Sequence, residues 1–276
     1  MMRKQFLVSA IVFVSILVLS LAANTSAGEI QRKLVAESAI EQIAKRGVIK
    51  VGMDVFVPWA MKNKKGELIG FEIDIAKKLA KDMGVKVEFV PTKWSGIIPA
   101  LTTGKFDALI GGMTITTQRN LKVNFTRPYY YTEQGLMAHK KKAAGFKVSD
   151  FNRPDVTIAA RLGSTAAIAA KQQFPKAKIR LFDDEPAAVQ ELRNGNVHAM
   201  VSAQPLPSSM ALEYPDTIMV YDEVMMLEAI GIGVRKGDHE TLNLINNWIE
   251  INRNNGWIQG RYAYWFKSKD WKNQIE

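Results

Sequence analysis

The sequence predicts an α/β protein built as two lobes, each a mostly parallel sheet flanked by helices, and three observations carry that prediction. Apolar strand-like runs alternate with helical patterns over residues 48–110, the alternation recurs over 156–202, and an extended aromatic and polar stretch at 129–138 separates the two series. A strand-and-helix segment over 230–266 follows the second series. The chain is therefore expected to return to its first lobe, which requires two crossings between lobes.

Taken in order, Arg3 and Lys4 precede an uncharged apolar run at 6–23 and the small residues Thr25-Ser26-Ala27. This is the pattern of an export signal cut after about Ala27, and the lack of a charged stop-transfer flank weakens the alternative of a retained membrane anchor. Residues 29–46 read as a helical lead-in ending at Gly47, 48–53 as a strand, 54–59 as the loop beyond it, and 63–66 as a hairpin-like turn. The best-marked helix covers 70–83. Phe71, Ile75, Leu79 and Met83 recur every fourth residue as a buried face. Glu72 and Asp74 fall in its first turn, where carboxylates meet exposed N–H groups and the positive end of the helix dipole.

A strand at 85–90, a helix at 94–103 started by Ser95 and a strand at 106–110 complete the first series. The second comprises strand 156–160, helix 164–174, strand 179–182, helix 186–194 and strand 198–202. Strand 230–234 and helices 240–254 and 256–266 close the chain, with Trp257, Tyr262, Tyr264, Trp265 and Phe266 expected to pack on the first lobe. The expected boundaries are 1–27 for the signal, 28–130 and 223–276 for lobe 1, and 131–222 for lobe 2, with crossings near 131–137 and 218–224.

The formal charge of +10 falls to +8 when Arg3 and Lys4 leave with the signal. A basic chain invites a nucleic-acid reading, but the lysines are interleaved with acids in turns and on polar helix faces, so no nucleic-acid partner is expected. With no cysteine, disulfides and thiolate metal sites are excluded. His139, His198 and His239 show no ligand spacing, so no metal site is expected. Gly111-Gly112 lacks the later lysine or third glycine of a phosphate loop, and no serine sits in a nucleophile elbow; no cofactor and no catalytic residue are assigned.

Ligands in open α/β sheets bind beyond the carboxyl ends of the strands. Three such ends carry suggestive residues, at 54–59, 111–119 and 161–165, and a cleft between lobes would bring them together.

The start Gly70-Phe71-Glu72-Ile73-Asp74, the segment Phe125-Thr126-Arg127-Pro128-Tyr129-Tyr130 and the stretch Ala187-Ala188-Val189-Gln190-Glu191-Leu192 together resemble the periplasmic solute-binding proteins, family 3, that serve ABC transporters for polar amino acids. The similarity runs from about Val48 to about Trp265. It implies the two-lobed, type II periplasmic-binding-protein-like fold, a monomer in the periplasm, capture of an amino acid or related small carboxylate by lobe closure, and a membrane permease as partner. The missing cysteine also excludes the lipid anchor that tethers many exported binding proteins.

Carried over residue by residue, the resemblance makes Arg119 the clamp on the ligand's carboxylate, with Gly112 and Thr114 beside it, and places Ser164 and Thr165 on the same anion at a helix start. Phe56 and Trp94 would sandwich the ligand's side chain. Asp54 would meet a cationic side chain, or else cap N–H groups of its own loop.

The match breaks at Ala203, where relatives carry an aspartate that pairs with the ligand's α-ammonium. An ammonium buried without a counter-charge costs several kcal/mol. Either the carbonyl of Gly112, Thr114 and Gln204 serve as neutral acceptors, or the ligand has no α-ammonium. A cyclohexadienyl-dehydratase-like enzyme on the same fold is the alternative, against which residues 202–206 supply no acid. The ligand-binding ectodomain of a sensor is another, against which a chain ending at Glu276 without a following membrane span or signalling module is expected to speak.

Overall fold

The structure, a computed structural model, describes residues 38–275, so the expected signal segment and the first part of the lead-in lie outside the described residues. The chain divides into two units, Met1–Arg46 and Gly47–Glu276. The described part of the first is one helix, α1 (Ala39–Arg46), with Ala39 and Ile43 buried.

In the second unit, β1 (Val48–Met53) leads into the hairpin β2 (Met61–Lys62) and β3 (Leu68–Ile69), then α2 (Phe71–Asp82), β4 (Lys86–Pro91), α3 (Ile97–Thr102) and β5 (Ala108–Leu109). The short α4 (Thr117–Asn120) and β6 (Asn124–Phe125) precede β7 (Tyr130–His139), which carries the chain into the second lobe. There follow β8 (Thr157–Arg161), α5 (Thr165–Gln173), β9 (Lys178–Phe182), α6 (Glu185–Arg193), β10 (Ala199–Ala203), α7 (Leu206–Glu213) and β11 (Ile218–Val220). The return is made by β12 (Met226–Ile230), followed by β13 (Gly233–Val234), α8 (His239–Asn254), α9 (Trp257–Tyr262) and a π-helical turn (Ala263–Lys267).

The first lobe's sheet has the order β4-β1-β5-β13-β6, with β4, β1 and β5 parallel and the return strand β13 antiparallel between β5 and β6. The second runs β11-β7-β10-β8-β9, with β12 on β7. Parallel β10, β8 and β9 form one half of that sheet, while β7 runs antiparallel to β10, β11 and β12. The two crossings are thus partners: Tyr130 to Gln134 pairs with Ile230 to Met226 as an antiparallel ribbon. The second lies a few residues beyond the 218–224 expected, because 218–220 still belongs to the second sheet.

Each lobe has its own core. Ile97, Leu101, Phe106, Leu109 and Val123 fill one part of the first, and Leu136, Phe151, Ile158, Phe174 and Val201 centre the second. Phe71, Ile75 and Leu79 of α2 are buried as the periodicity predicts, while Met83 caps the helix. The terminal aromatics pack where expected: Phe266 lies 5.1 Å from Phe71 and Tyr262 lies 6.0 Å from Tyr130, ring centre to ring centre.

Three local expectations need correction. Asp74 does not serve the helix N–H groups; it accepts from Arg261 Nε at 2.9 Å and Trp265 Nε1 at 2.7 Å, tying α2 to the chain's last turns. Glu72 is fully buried and accepts from Tyr129 Oη at 2.6 Å. Ser95 does not start its helix; it lies inside a 3-10 turn (Trp94–Gly96) that precedes α3. In each case a tertiary partner or a tighter turn outcompetes the local cap. The helix α7 is one that the sequence pattern does not mark, because Pro205 and Pro207 interrupt it; both sit at its start, where a missing N–H costs nothing.

Candidate functional site

The carboxyl ends of β1, β5 and β8 converge on one small cavity between the lobes. The first lobe lines it with Phe56, Trp59, Trp94, Gly112 and Thr114, and the second with Arg161, Ser164, Thr165, Glu185 and Ala203. The crossing strands add Tyr130, Thr132, Gln134 and Glu228. Glu228 reaches it because β12 alternates, burying Glu228 and Ile230 while Leu227 and Ala229 stay more exposed.

Two loops set the geometry. Gly112 has φ 70° and its backbone passes under Trp59, where a Cβ would come within 3.0 Å of the ring, so the turn that presents Thr114 needs glycine. Gly163, at φ 74°, turns the chain from β8 into α5, whose N-cap is Ser164: its Oγ accepts from Ala167 N at 3.2 Å. Thr165 and Ala166 begin that helix and line the cavity, presenting N–H groups with no partner inside the helix.

Behind the first loop stands a buried polar chain. Trp59 Nε1 donates to Tyr130 Oη, Tyr130 Oη to Glu72 Oε1 at 3.4 Å, and the Gly112 N–H also meets Glu72. Burial pushes the Glu72 carboxyl up to about 8 against the pull of these donors, so it is protonated at neutral pH.

The lobes are closed on one another. Thr114 Oγ1 and Thr165 Oγ1 are 3.2 Å apart, and Arg119 Nη2 donates to Gly163 O at 3.1 Å. A cluster of acceptors sits beside this contact: Glu228 Oε1 accepts from Thr114 Oγ1 at 2.9 Å, Glu228 Oε2 accepts from Gln134 Nε2 at 2.8 Å, and Gln134 Oε1 is buried with no partner.

Arg119 is buried, and its Nη1 donates to Thr114 O at 2.8 Å. Among the described residues no carboxylate lies within ion-pair distance of it, and burial pulls its pKa down to about 10 although Glu228 opposes this. It lines not the central cavity but a larger adjoining groove of about 630 Å³. Asp54 does both things its position allowed: its carboxylate accepts from Val55 N and Trp94 N at 2.8 and 3.1 Å, and faces a cation at 3.4 Å, but that cation is Arg161 of the protein itself. Gln204 must be corrected. Its Oε1 accepts from Ser208 Oγ at 2.9 Å at the start of α7, and it does not line the cavity.

The sequence marks Arg161 only as the first residue of the suggestive strand end 161–165 and does not single out Glu185, Gln134 or Glu228. Arg161 at a strand end three residues before the Ser164 cap, and Glu228 as the one acid in an apolar run from Met225 to Val234, were the available signals. No group of three or more His, Asp or Glu side chains among the described residues is placed to hold a metal, and no described helix is long and apolar enough to cross a membrane.

Residues 49–268 match the profile of bacterial extracellular solute-binding proteins, family 3. The chain is 28% identical over 249 residues to the L-cystine-binding protein of Escherichia coli strain K12, covering 89% of this chain and 92% of the relative. Among solved structures it is similar to an ancestral amino acid-binding protein described as a precursor of cyclohexadienyl dehydratase, with 44% identity, a TM-score of 0.75 and coverage of 83% of this chain and 99% of that one. It is also similar to a putative binding component of an ABC transporter from Wolinella succinogenes complexed with lysine, with 37% identity, a TM-score of 0.78 and the same coverage. The profile match runs through both lobes and both crossing strands, and the chain belongs to the bacterial extracellular solute-binding proteins, family 3.

Proposed function

We propose that the protein captures a zwitterionic α-amino acid between its lobes and delivers it to the membrane permease of an ABC importer, acting as a monomer in the periplasm after loss of a signal ending near Ala27. The observation that carries this reading is the pairing, in one cavity, of a seat for an anion with a cluster of acceptors for a cation. The anion seat is the start of α5 at Ser164 and Thr165, with Thr114 opposite and Arg119 alongside. A buried guanidinium without a carboxylate partner is unfavourable, and a ligand carboxylate that takes over from Gly163 O would supply the missing charge.

The ammonium lost its aspartate at position 203, yet Glu228 and the unpartnered Gln134 Oε1 line the same cavity as Ala203. The counter-charge has moved from the end of β10 to the returning crossing strand. The presence of Glu228 and Gln134 Oε1 supports a ligand that carries an amine. Because the ligand would touch both lobes and both crossings, its binding free energy favours the closed arrangement over the open one.

Calorimetry of the purified protein against the twenty amino acids and matched carboxylates without an amine tests this. Tightest binding by an α-amino acid is the expected outcome, and binding of the amine-free acids alone would overturn it. A dehydratase is the second reading. Residues 202–206 bring no acid, but Glu185, buried at the start of α6 with its pKa raised by burial, lines the cavity as a possible proton donor. Its engagement by Arg161 and by Ser202 Oγ at 3.1 Å weighs against that role, and turnover of prephenate or arogenate would decide for it.

A further inference from the structure

The side-chain half of the cleft already holds a guanidinium. Arg161 leaves the end of β8 on the second lobe with a side chain only 5% exposed, and its Cζ lies 4.3 Å from the centre of the Trp94 ring and 5.0 Å from that of Phe56, both on the first lobe. Its Nη1 lies 3.4 Å from Asp54 Oδ2. Two aromatic faces and a carboxylate are the environment that holds a cationic side chain. Here they are the same three residues, Phe56, Trp94 and Asp54, that the resemblance assigns to a ligand's side chain.

A ligand cation could enter this seat only by expelling Arg161. Expulsion would strip Glu185, which is 4% exposed, of its one ion-pair partner among the described residues, leaving a buried carboxyl without a cation. If Arg161 stayed, two positive heads would meet at contact distance in a poorly solvated site. The Arg161 Nε–H is moreover buried without a hydrogen-bond partner, since Glu185 stands off at 3.6 Å. A side-chain carbonyl, hydroxyl or carboxylate can accept from it, whereas an ammonium or guanidinium has only donors.

We infer that Arg161 is the specificity-determining residue of the cleft: it occupies the seat for a cationic side chain, so the protein takes α-amino acids with neutral or acidic side chains and rejects arginine and lysine. This rests on the amino-acid reading above. The lysine held by the Wolinella relative therefore does not transfer to this chain.

The test is calorimetry of the wild type and of Arg161→Met with the twenty amino acids. The wild type is expected to bind its best neutral or acidic amino acid at least 100-fold more tightly than arginine or lysine, and Arg161→Met to gain at least 10-fold for arginine. Wild-type binding of arginine or lysine within 3-fold of the best ligand overturns the inference while leaving amino-acid capture intact, as does a folded Arg161→Met with no gain. Failure of every amino acid to bind either protein overturns both. Should the variant not fold, a crystal structure of the wild type with its tightest amino acid decides: Arg161 still between Phe56 and Trp94 supports the inference, and a ligand side chain in its place overturns it.

Discussion

Gln134 and Glu228 join the two crossing strands side chain to side chain, Gln134 Nε2 donating to Glu228 Oε2 at 2.8 Å, at the point where both strands pass the floor of the cleft. The bond fixes the Glu228 carboxylate beside Thr114 and Ala203, and makes the crossing strands a part of the cavity wall.

Glu228→Gln is therefore expected to weaken amino-acid binding by about 10- to 100-fold, the equivalent of a hydrogen bond to a charged group of roughly 1.5–3 kcal/mol. Ala203→Asp introduced into that variant should restore much of the loss by returning a carboxylate to the cavity. Calorimetry on the two variants and the combination checks the cycle, and an undiminished affinity in Glu228→Gln would show that the ammonium is held elsewhere.

Arg119→Ala removes the buried guanidinium beside the start of α5. Loss of a bidentate contact of several kcal/mol should take binding below detection in calorimetry. Circular dichroism should show the fold retained, because the bonds given up are two to backbone carbonyls of adjoining loops. Unchanged affinity would exclude Arg119 from the anion seat.

Thr165→Val keeps the volume and deletes the hydroxyl that meets Thr114 across the cleft at 3.2 Å. A lost neutral hydrogen bond of about 0.5–1.5 kcal/mol predicts roughly 2- to 10-fold weaker binding. Small-angle scattering with and without ligand should show a larger share of open molecules in the variant.

Glu72 gives a pH dependence. Its carboxyl titrates near 4.5 when solvated and at about 8 in the fold, so the folded state keeps a proton that the unfolded chain releases. The penalty is absent below about 4.5, grows as pH rises, and is complete once pH passes about 8. Wild-type stability should therefore fall by up to about 1.4 kcal/mol per pH unit across that window from this group. Glu72→Gln, neutral at every pH, should flatten the slope measured by urea unfolding between pH 5 and pH 8. An unchanged slope would mean that Glu72 is ionised in the fold.

The alternation of strands and helices, the ends of α2, α5 and α8, and the three strand ends that meet at the cleft were all legible in the chain. They depend on patterns within a few residues: apolar periodicity, a serine or aspartate cap, a glycine at a turn. What lay beyond reach were contacts between residues far apart in sequence. Nothing near Arg161 announces that its head will lie between Phe56 and Trp94, and nothing near Asp74 announces Arg261 and Trp265. The sequence by itself determined the two α/β series and the order in which their strands appear, because local hydrogen bonding and burial periodicity are written residue by residue. Only the tertiary structure decided which charges share the cavity, bringing Glu228 beside Thr114 and Arg161 between Phe56 and Trp94, because Coulomb pairing and desolvation depend on distances in space that chain position does not specify.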